Sequence, residues 1–169
     1  APRDRLVILG ATGSIGASAL EVSAELAERI EVAGMSCHRG WRELAALAAR
    51  WRPRAVAVAD EDAWREARDS SAFPHGTAVL GGAAGLSELA SMDGVDVVLN
   101  GVVGAAGLGA TLAALGAGKR VALANKESLV VGGDLVRAAA GDDMLAAGSV
   151  LPVDSEHNAI WQLLAGRGT

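Results

Sequence analysis

The chain has 169 residues, of which 51% are hydrophobic, so it can bury one sizeable core and we expect one principal domain. Its net charge of -5 argues against a broad electrostatic surface for nucleic acid, which normally requires clustered Lys and Arg. With Cys37 as the single cysteine, one chain can form neither an internal disulfide nor a cysteine-based zinc site.

The N-terminal residues show no signal-peptide pattern, and no segment reaches the roughly 18 to 20 uninterrupted apolar residues that span a bilayer. We therefore expect a soluble, cytoplasmic protein with no membrane partner and no nucleic-acid partner.

Short β-rich runs alternate with Ala- and Leu-rich helical patterns, as in successive βαβ units. The predicted strands are residues 6–9, 30–35, 55–58, 77–80, 95–99, 120–123 and 149–151. The predicted helices are residues 14–28, 41–51, 61–68, 83–91, 107–115 and 134–145. This order predicts an α/β fold, Rossmann-like and doubly wound, with a mostly parallel sheet. A polar cluster after the last strand suggests a boundary, so we expect this domain over residues 1–151 and the start of another over 152–169.

The first predicted strand leads directly into Gly10-Ala11-Thr12-Gly13-Ser14-Ile15-Gly16 and then into a helix. In a dinucleotide-binding turn, the first glycine permits the tight turn and the second lets the backbone approach a pyrophosphate. The third lets helix and strand pack closely. N–H groups at the helix start would then face the phosphates. An ordinary glycine-rich turn is the alternative, but the position on the first strand of a βαβ run favours a dinucleotide site.

The second predicted strand ends in Met35-Ser36-Cys37-His38-Arg39, without the carboxylate that usually holds the ribose 2′-hydroxyl of NAD. Arg39 can instead pair with the 2′-phosphate of NADP, and Ser36 and His38 can add hydrogen bonds. The sequence therefore favours NADPH. The alternative is that Arg39 is only a solvated loop charge.

Three later segments are expected at the sheet edge where open α/β sheets place their ligands. They are Asn100-Gly101-Val102-Val103-Gly104-Ala105-Ala106-Gly107-Leu108, Ala122-Leu123-Ala124-Asn125-Lys126-Glu127-Ser128-Leu129-Val130 and Pro152-Val153-Asp154-Ser155-Glu156-His157-Asn158-Ala159-Ile160. Taken alone, Asn125 and Asp154 could be helix N-caps, with Glu127 and Glu156 in the first turns. Capping and ligand binding do not exclude each other.

Together these segments resemble the 1-deoxy-D-xylulose 5-phosphate reductoisomerase family, NADPH enzymes of the non-mevalonate isoprenoid pathway. The matching phrases are Gly-x-Thr-Gly-Ser-Ile-Gly, Gly-Ala-Ala-Gly-Leu, Ala-Asn-Lys-Glu-Ser-Leu-Val and Pro-Val-Asp-Ser-Glu-His, in this order. The resemblance implies an NADP-dependent oxidoreductase that converts 1-deoxy-D-xylulose 5-phosphate, a sugar phosphate, to 2-C-methyl-D-erythritol 4-phosphate. It also implies a Mg²⁺ or Mn²⁺ ion and a homodimeric full-length enzyme.

The same resemblance implies roles for individual residues. The cofactor-binding residues would be Thr12, Gly13, Ser14, Ile15, His38, Arg39, Gly40, Asn125 and Glu127. The substrate-binding residues would be Lys126, Ser155 and Glu156, of which Lys126 and Glu156 would be catalytic. Asp154 and Glu156 would bind the metal ion. The family commonly has Gly, a basic residue and Asn at positions 38 to 40, so His38 and Gly40 depart from its pattern.

These residue types suit the implied reaction. Asp154 and Glu156 would project to the same side of an extended segment, so both could reach one hard cation. The cation, together with Lys126, would stabilise an oxyanion while the carbon skeleton rearranges, and NADPH would supply hydride.

Members of the family are considerably longer than this chain. We therefore expect residues 1–169 to be the cofactor-binding portion with the start of a catalytic domain, and to be inactive alone. A non-catalytic NADP-sensing module is the alternative, and it would need no Lys126, Asp154 or Glu156. A semialdehyde dehydrogenase would need a nucleophilic cysteine after the later strands, whereas Cys37 lies in the cofactor half.

Overall fold

The computed structural model describes residues 2–124, 127–141 and 148–152, with the backbone alone for residues 127–131 and 152. The strands are β1 (Asp4–Leu9), β2 (Ile30–Cys37), β3 (Ala55–Val58), β4 (Ala78–Gly81), β5 (Val97–Asn100), β6 (Arg120–Leu123) and β7 (Val150–Pro152). The helices are α1 (Ser14–Glu25), α2 (Trp41–Trp51), α3 (Glu61–Asp69), α4 (Gly82–Ser91), α5 (Gly104–Gly116) and α6 (Glu127–Ala140).

The strands form one sheet in the order β4-β3-β2-β1-β5-β6-β7, and every neighbouring pair is parallel. The chain moves outward from β1 to β4 and then returns to place β5 on the other side of β1. The direction of winding therefore changes between β1 and β5, and in such sheets ligands bind at the carboxyl ends of the strands at this point. The predicted Rossmann-like α/β fold is confirmed.

Both faces of the sheet are covered, which explains the nearly continuous apolar character of its strands. In β1, Leu6 and Ile8 belong to a buried cluster shared with α1, α2 and α3. Val7 and Leu9 alternate with them and belong to a second cluster, shared with α4, α5 and α6. The alternation follows from the two-residue period of a strand. β1 is thus fixed from both sides, and the loop after it starts from a rigid support.

Three predicted helices have bounds that differ from the observed ones by three or more residues. The helix predicted over residues 14–28 ends at Glu25. The helix predicted over residues 107–115 begins at Gly104, and the helix predicted over 134–145 begins at Glu127 and ends at Ala140. Gly132 lies inside α6, at a point where α5 packs closely. A Cβ on Gly132 would lie 2.5 Å from Leu108 Cδ1. Gly141, with φ +86°, ends α6 as a left-handed C-terminal residue.

None of the helices within the described ranges is both long enough and apolar enough to cross a bilayer.

Candidate functional site

The glycine segment after β1 forms a tight turn that closes on itself. Gly10 has φ +84°, a left-handed conformation that favours glycine, and its carbonyl accepts a hydrogen bond of 3.1 Å from the Gly13 N–H. A Cβ on Gly16 would overlap the Gly10 carbonyl oxygen and lie 2.5 Å from Ala11 Cα. The predicted geometry of Gly10 for the turn and of Gly16 for close packing is confirmed.

The N-terminus of α1 has no capping side chain in the described part of the chain, and no acidic residue lies in its first turn. α3 differs in both respects. Asp60 accepts a hydrogen bond of 2.9 Å from the Ala63 N–H, and Glu61 and Asp62 lie in the first turn. The positive end of the α3 dipole is therefore neutralised by its own side chains, whereas the corresponding end of α1, like those of α4 and α5, has no such compensation among the described residues.

Ser36, near the end of β2, contacts the glycine turn directly. The Gly10 N–H donates to Ser36 Oγ at 3.0 Å, and the Ala11 N–H donates to the Ser36 carbonyl at 2.7 Å. Ser36 is fully buried. The expectation that it could add a hydrogen bond to a 2′-phosphate is therefore wrong, because its hydroxyl faces the turn and not solvent.

Asn100, the last residue of β5, holds the loop on the opposite side. It is 1% exposed, and its Nδ2 donates to the Gly107 carbonyl and to Thr111 Oγ1, each at 2.8 Å. Its Oδ1 accepts from the Val102 N–H at 2.9 Å. Sequence reasoning placed Asn100 only in the segment expected at the ligand-binding edge of the sheet and did not identify its side chain as an anchor, although an amide at the end of an apolar strand was a usable signal. Its side chain joins the loop after β5 to α5.

These two loops face a cavity of about 490 Å³ at the carboxyl ends of five adjacent strands. The lining residues are Gly10, Thr12, Gly13, Cys37, His38, Ala59, Ala83, Gly101, Val102, Val103 and Ala106. The structure thus brings Thr12, Gly13 and His38 together, three of the residues predicted to bind a cofactor. The wall opposite them is apolar and follows β5.

The other predicted cofactor residues in the described ranges lie beside this cavity. Ser14 begins α1, Gly40 is the N-cap of α2, and Ile15 packs partly buried against the core. The Arg39 side chain is 68% exposed, and its NH2 group lies 3.7 Å from Asp60 Oδ1. An exposed pair at this distance contributes little stability, so the guanidinium group is free to turn towards an anion.

Asp60 is itself held as a carboxylate. The Ala63 N–H lowers the pKa of Asp60, and the charges of Arg39 and His38 act in the same direction. Its backbone N–H donates to the His38 carbonyl at 3.0 Å, which joins the ends of β2 and β3.

The Cys37 thiol lines the cavity but is not activated. Burial, assisted by the negative charge of Glu43, raises the pKa of Cys37 from 9.0 to about 12. The neutral thiol is a poor nucleophile, so the site offers no cysteine chemistry near neutral pH.

The predicted catalytic and metal-binding residues are not among those that the structure describes. Asn125, Lys126, Asp154, Ser155 and Glu156 lie outside the described residues, and only the backbone of Glu127 is described. Within residues 2–124, 132–141 and 148–151, no group of three or more His, Cys, Asp or Glu side chains could hold a metal ion.

A family model and curated relatives of this chain agree in one family. A family model described as 1-deoxy-D-xylulose 5-phosphate reductoisomerase matches residues 6–133. The reductoisomerase of Anaeromyxobacter dehalogenans is 47% identical over 162 residues, which are 96% of this chain and 40% of that protein. The chain therefore spans about two fifths of the length of such curated relatives.

Two solved structures extend the similarity to the fold. A crystal structure of DOX-P reductoisomerase in complex with magnesium superposes with a TM-score of 0.82 at 41% identity, covering 95% of this chain and 40% of that one. The reductoisomerase of Zymomonas mobilis in complex with NADPH gives a TM-score of 0.81 at 39% identity, covering 95% and 41%.

Proposed function

The chain belongs to the 1-deoxy-D-xylulose 5-phosphate reductoisomerase family, and from this premise we propose that it is the NADPH-binding part of such an enzyme. The whole enzyme would convert 1-deoxy-D-xylulose 5-phosphate to 2-C-methyl-D-erythritol 4-phosphate. The observation that carries the proposal is the cavity between the glycine turn and the loop after β5, at the point where the sheet changes its winding direction.

The residues of this cavity suit a dinucleotide. Gly13 leaves room for a pyrophosphate to approach the backbone closely, since it carries no Cβ at this point of the turn. The uncapped start of α1 would hold the pyrophosphate through N–H groups and the helix dipole. Val102, Val103 and Ala106 supply an apolar wall that would exclude water from the bound rings. NADPH, when bound, supplies the hydride that reduces the rearranged substrate.

Arg39 is proposed to set the preference for NADPH. In the described chain, β2 ends without a carboxylate suited to a ribose 2′-hydroxyl, and the exposed Arg39 guanidinium lies beside the cavity entrance. A guanidinium group can bind a phosphate through two parallel hydrogen bonds. His38 would add a hydrogen bond from the cavity wall.

The catalytic part of the proposal rests on the sequence. Asn125 and Glu127 would contact the cofactor, Lys126 and Ser155 the substrate, and Glu156 both substrate and metal. Asp154 would complete the carboxylate pair, which has the hard oxygen ligands that Mg²⁺ or Mn²⁺ prefers.

We assign residues 1–151 to the cofactor domain and residues 152–169 to the start of the catalytic domain. A sugar phosphate substrate and a homodimeric assembly are proposed for the whole enzyme. Since the chain spans about two fifths of its relatives, we expect the 169 residues alone to bind NADPH without turnover.

Calorimetric titration of the 169-residue chain with NADPH and NADH tests this function. The chain should bind both, with NADPH the tighter ligand. Arg39→Ala should weaken NADPH at least about tenfold, equal to about 1.4 kcal/mol, and leave NADH nearly unchanged, because only NADPH carries the 2′-phosphate.

Arg42→Ala is the matched control. Arg42 is 75% exposed and lies 3.8 Å from Glu66, so it resembles Arg39 in exposure and pairing, but it lies within α2, whereas Arg39 directly follows His38 of the cavity wall. Equal losses of NADPH and NADH in Arg39→Ala would contradict its assigned role. Absence of binding to either dinucleotide by the unmodified chain would contradict the proposed function itself.

A further inference from the structure

Ser36 is a buried polar residue next to the glycine turn that the proposed chemistry does not use. It lies in β2 among Ala33, Met35 and Cys37, all nearly inaccessible, and is itself fully buried. A parallel strand covered on both faces normally carries apolar side chains at such positions. A buried hydroxyl group there needs a partner, and its partner is the glycine turn.

Gly10 is held at both of its polar groups. Its N–H donates to Ser36 Oγ at 3.0 Å, and its carbonyl accepts from the Gly13 N–H at 3.1 Å. The next N–H, that of Ala11, donates to the Ser36 carbonyl at 2.7 Å. Any residue at position 36 would keep the last bond, since it involves only the main chain. The first bond requires a side-chain acceptor.

The position of Gly10 determines where the phosphate-binding groups lie. Gly10 turns the chain from β1 towards α1, and Gly16 packs against its carbonyl. A shift of the Gly10 peptide would therefore move the N-terminus of α1 relative to the loop at Gly101, which lies directly beside Gly10, since a Cβ on Gly10 would be 3.6 Å from the Gly101 carbonyl.

We propose that Ser36 is a positioning residue for dinucleotide binding, which fixes the Gly10 peptide through its hydroxyl oxygen and so aligns α1 with the pyrophosphate. This inference rests on the proposed function. It differs from the role of Arg39, because the pyrophosphate is common to NADPH and NADH. Ser36 thus governs affinity for both dinucleotides, and Arg39 governs the choice between them.

The test is Ser36→Ala in the 169-residue chain, titrated with NADPH and NADH separately. Both dissociation constants should rise by the same factor, about fivefold, which corresponds to one hydrogen bond of ordinary net strength. In addition, the Gly10 amide should exchange its hydrogen faster in the variant, as measured by NMR without ligand.

Ser23→Ala is the matched control. Ser23 is also fully buried, but its hydroxyl donates to the Ala19 carbonyl within α1, at 2.7 Å. It should leave both dissociation constants and the Gly10 exchange rate unchanged. Ser36→Thr keeps the acceptor oxygen and suits a strand, so it should bind both dinucleotides like the unmodified chain.

Four results would overturn the inference. They are unchanged affinity in Ser36→Ala, an equal loss in Ser23→Ala, an equal loss in Ser36→Thr, and a loss confined to NADPH. The last would mean that position 36 acts on the 2′-phosphate. If the unmodified chain bound neither dinucleotide, the proposed function would fall and this inference with it, whereas retained binding in Ser36→Ala would remove the inference alone.

Discussion

The loops after β1 and β5 both turn a central strand into a helix, and glycines make both turns possible. Each contains a left-handed glycine, Gly10 with φ +84° and Gly104 with φ +80°. Each also has a glycine in the following helix that packs against the loop, Gly16 against Gly10 and Gly107 against Val102. They differ in their anchors, because Ser36 holds the first loop from a neighbouring strand and Asn100 holds the second to its own helix.

The two loops therefore have different roles. The first loop is fixed to β2 by two hydrogen bonds at Ser36, of which one uses the hydroxyl group, and the start of α1 has no capping side chain in the described part of the chain. The second loop is fixed by three hydrogen bonds from one buried amide, which make it a stable wall. We therefore expect changes at the second anchor to reduce stability strongly, and changes at the first to act mainly on binding.

The largest effect is expected for Asn100→Ala, which breaks the anchor of the second loop. It removes three hydrogen bonds of about 1 kcal/mol each, so the free energy of unfolding should fall by about 3 kcal/mol. Urea denaturation at constant pH measures the change. Thr111→Val removes one of the three bonds and should cost about 1 kcal/mol. Equal losses in the two variants would contradict the role of Asn100 as the joint anchor.

A smaller loss of stability is expected at the feature that the two loops share, the helix glycine that packs against each of them. Gly16→Ala and Gly107→Ala each place a Cβ against backbone of their own loop, so each should lower the free energy of unfolding by about 2 kcal/mol. Gly109→Ala is the control in α5, because its Cβ would lie at an ordinary 3.7 Å from Ser87 Oγ. It should raise stability by up to about 1 kcal/mol. A stabilising Gly16→Ala or Gly107→Ala would show that the close packing is not required.

The smallest effect is a dependence of stability on pH that arises on the β2 side of the cavity. Cys37 lies on the β2 side, and burial raises the pKa of its thiol from 9.0 to about 12. The folded state therefore favours the protonated thiol. This contribution is complete below pH 9 and is lost as the pH rises towards 12.

Comparison of urea midpoints at pH 8 and pH 10 tests this pH dependence. The unmodified chain should lose more stability over this interval than Cys37→Ala, which lacks the thiol. Identical losses in the two proteins would mean that Cys37 does not titrate differently on folding.

The sequence was sufficient for features that depend on local patterns. The seven strands, the turn at Gly10 and the packing of Gly16 all follow from residues close together in the chain. The anchors at Ser36 and Asn100 were not predicted, because each gains its meaning from a partner brought near by folding. The close approach of Leu108 in α5 to Gly132 in α6 was not predicted for the same reason, since it joins two separate helices.

The pairing of β1 with β5 also has a consequence for the order of folding. Leu9 pairs with Asn100 across the sheet, although β2, β3 and β4 all come between them in the chain. Contacts between such distant segments form slowly, because a long loop must close before they can stabilise it. A nascent chain that has emerged from the ribosome only as far as β4 carries the whole glycine segment but lacks the apolar wall of the cavity that follows β5. Competence to bind a dinucleotide would thus arise late, when β5 docks beside β1.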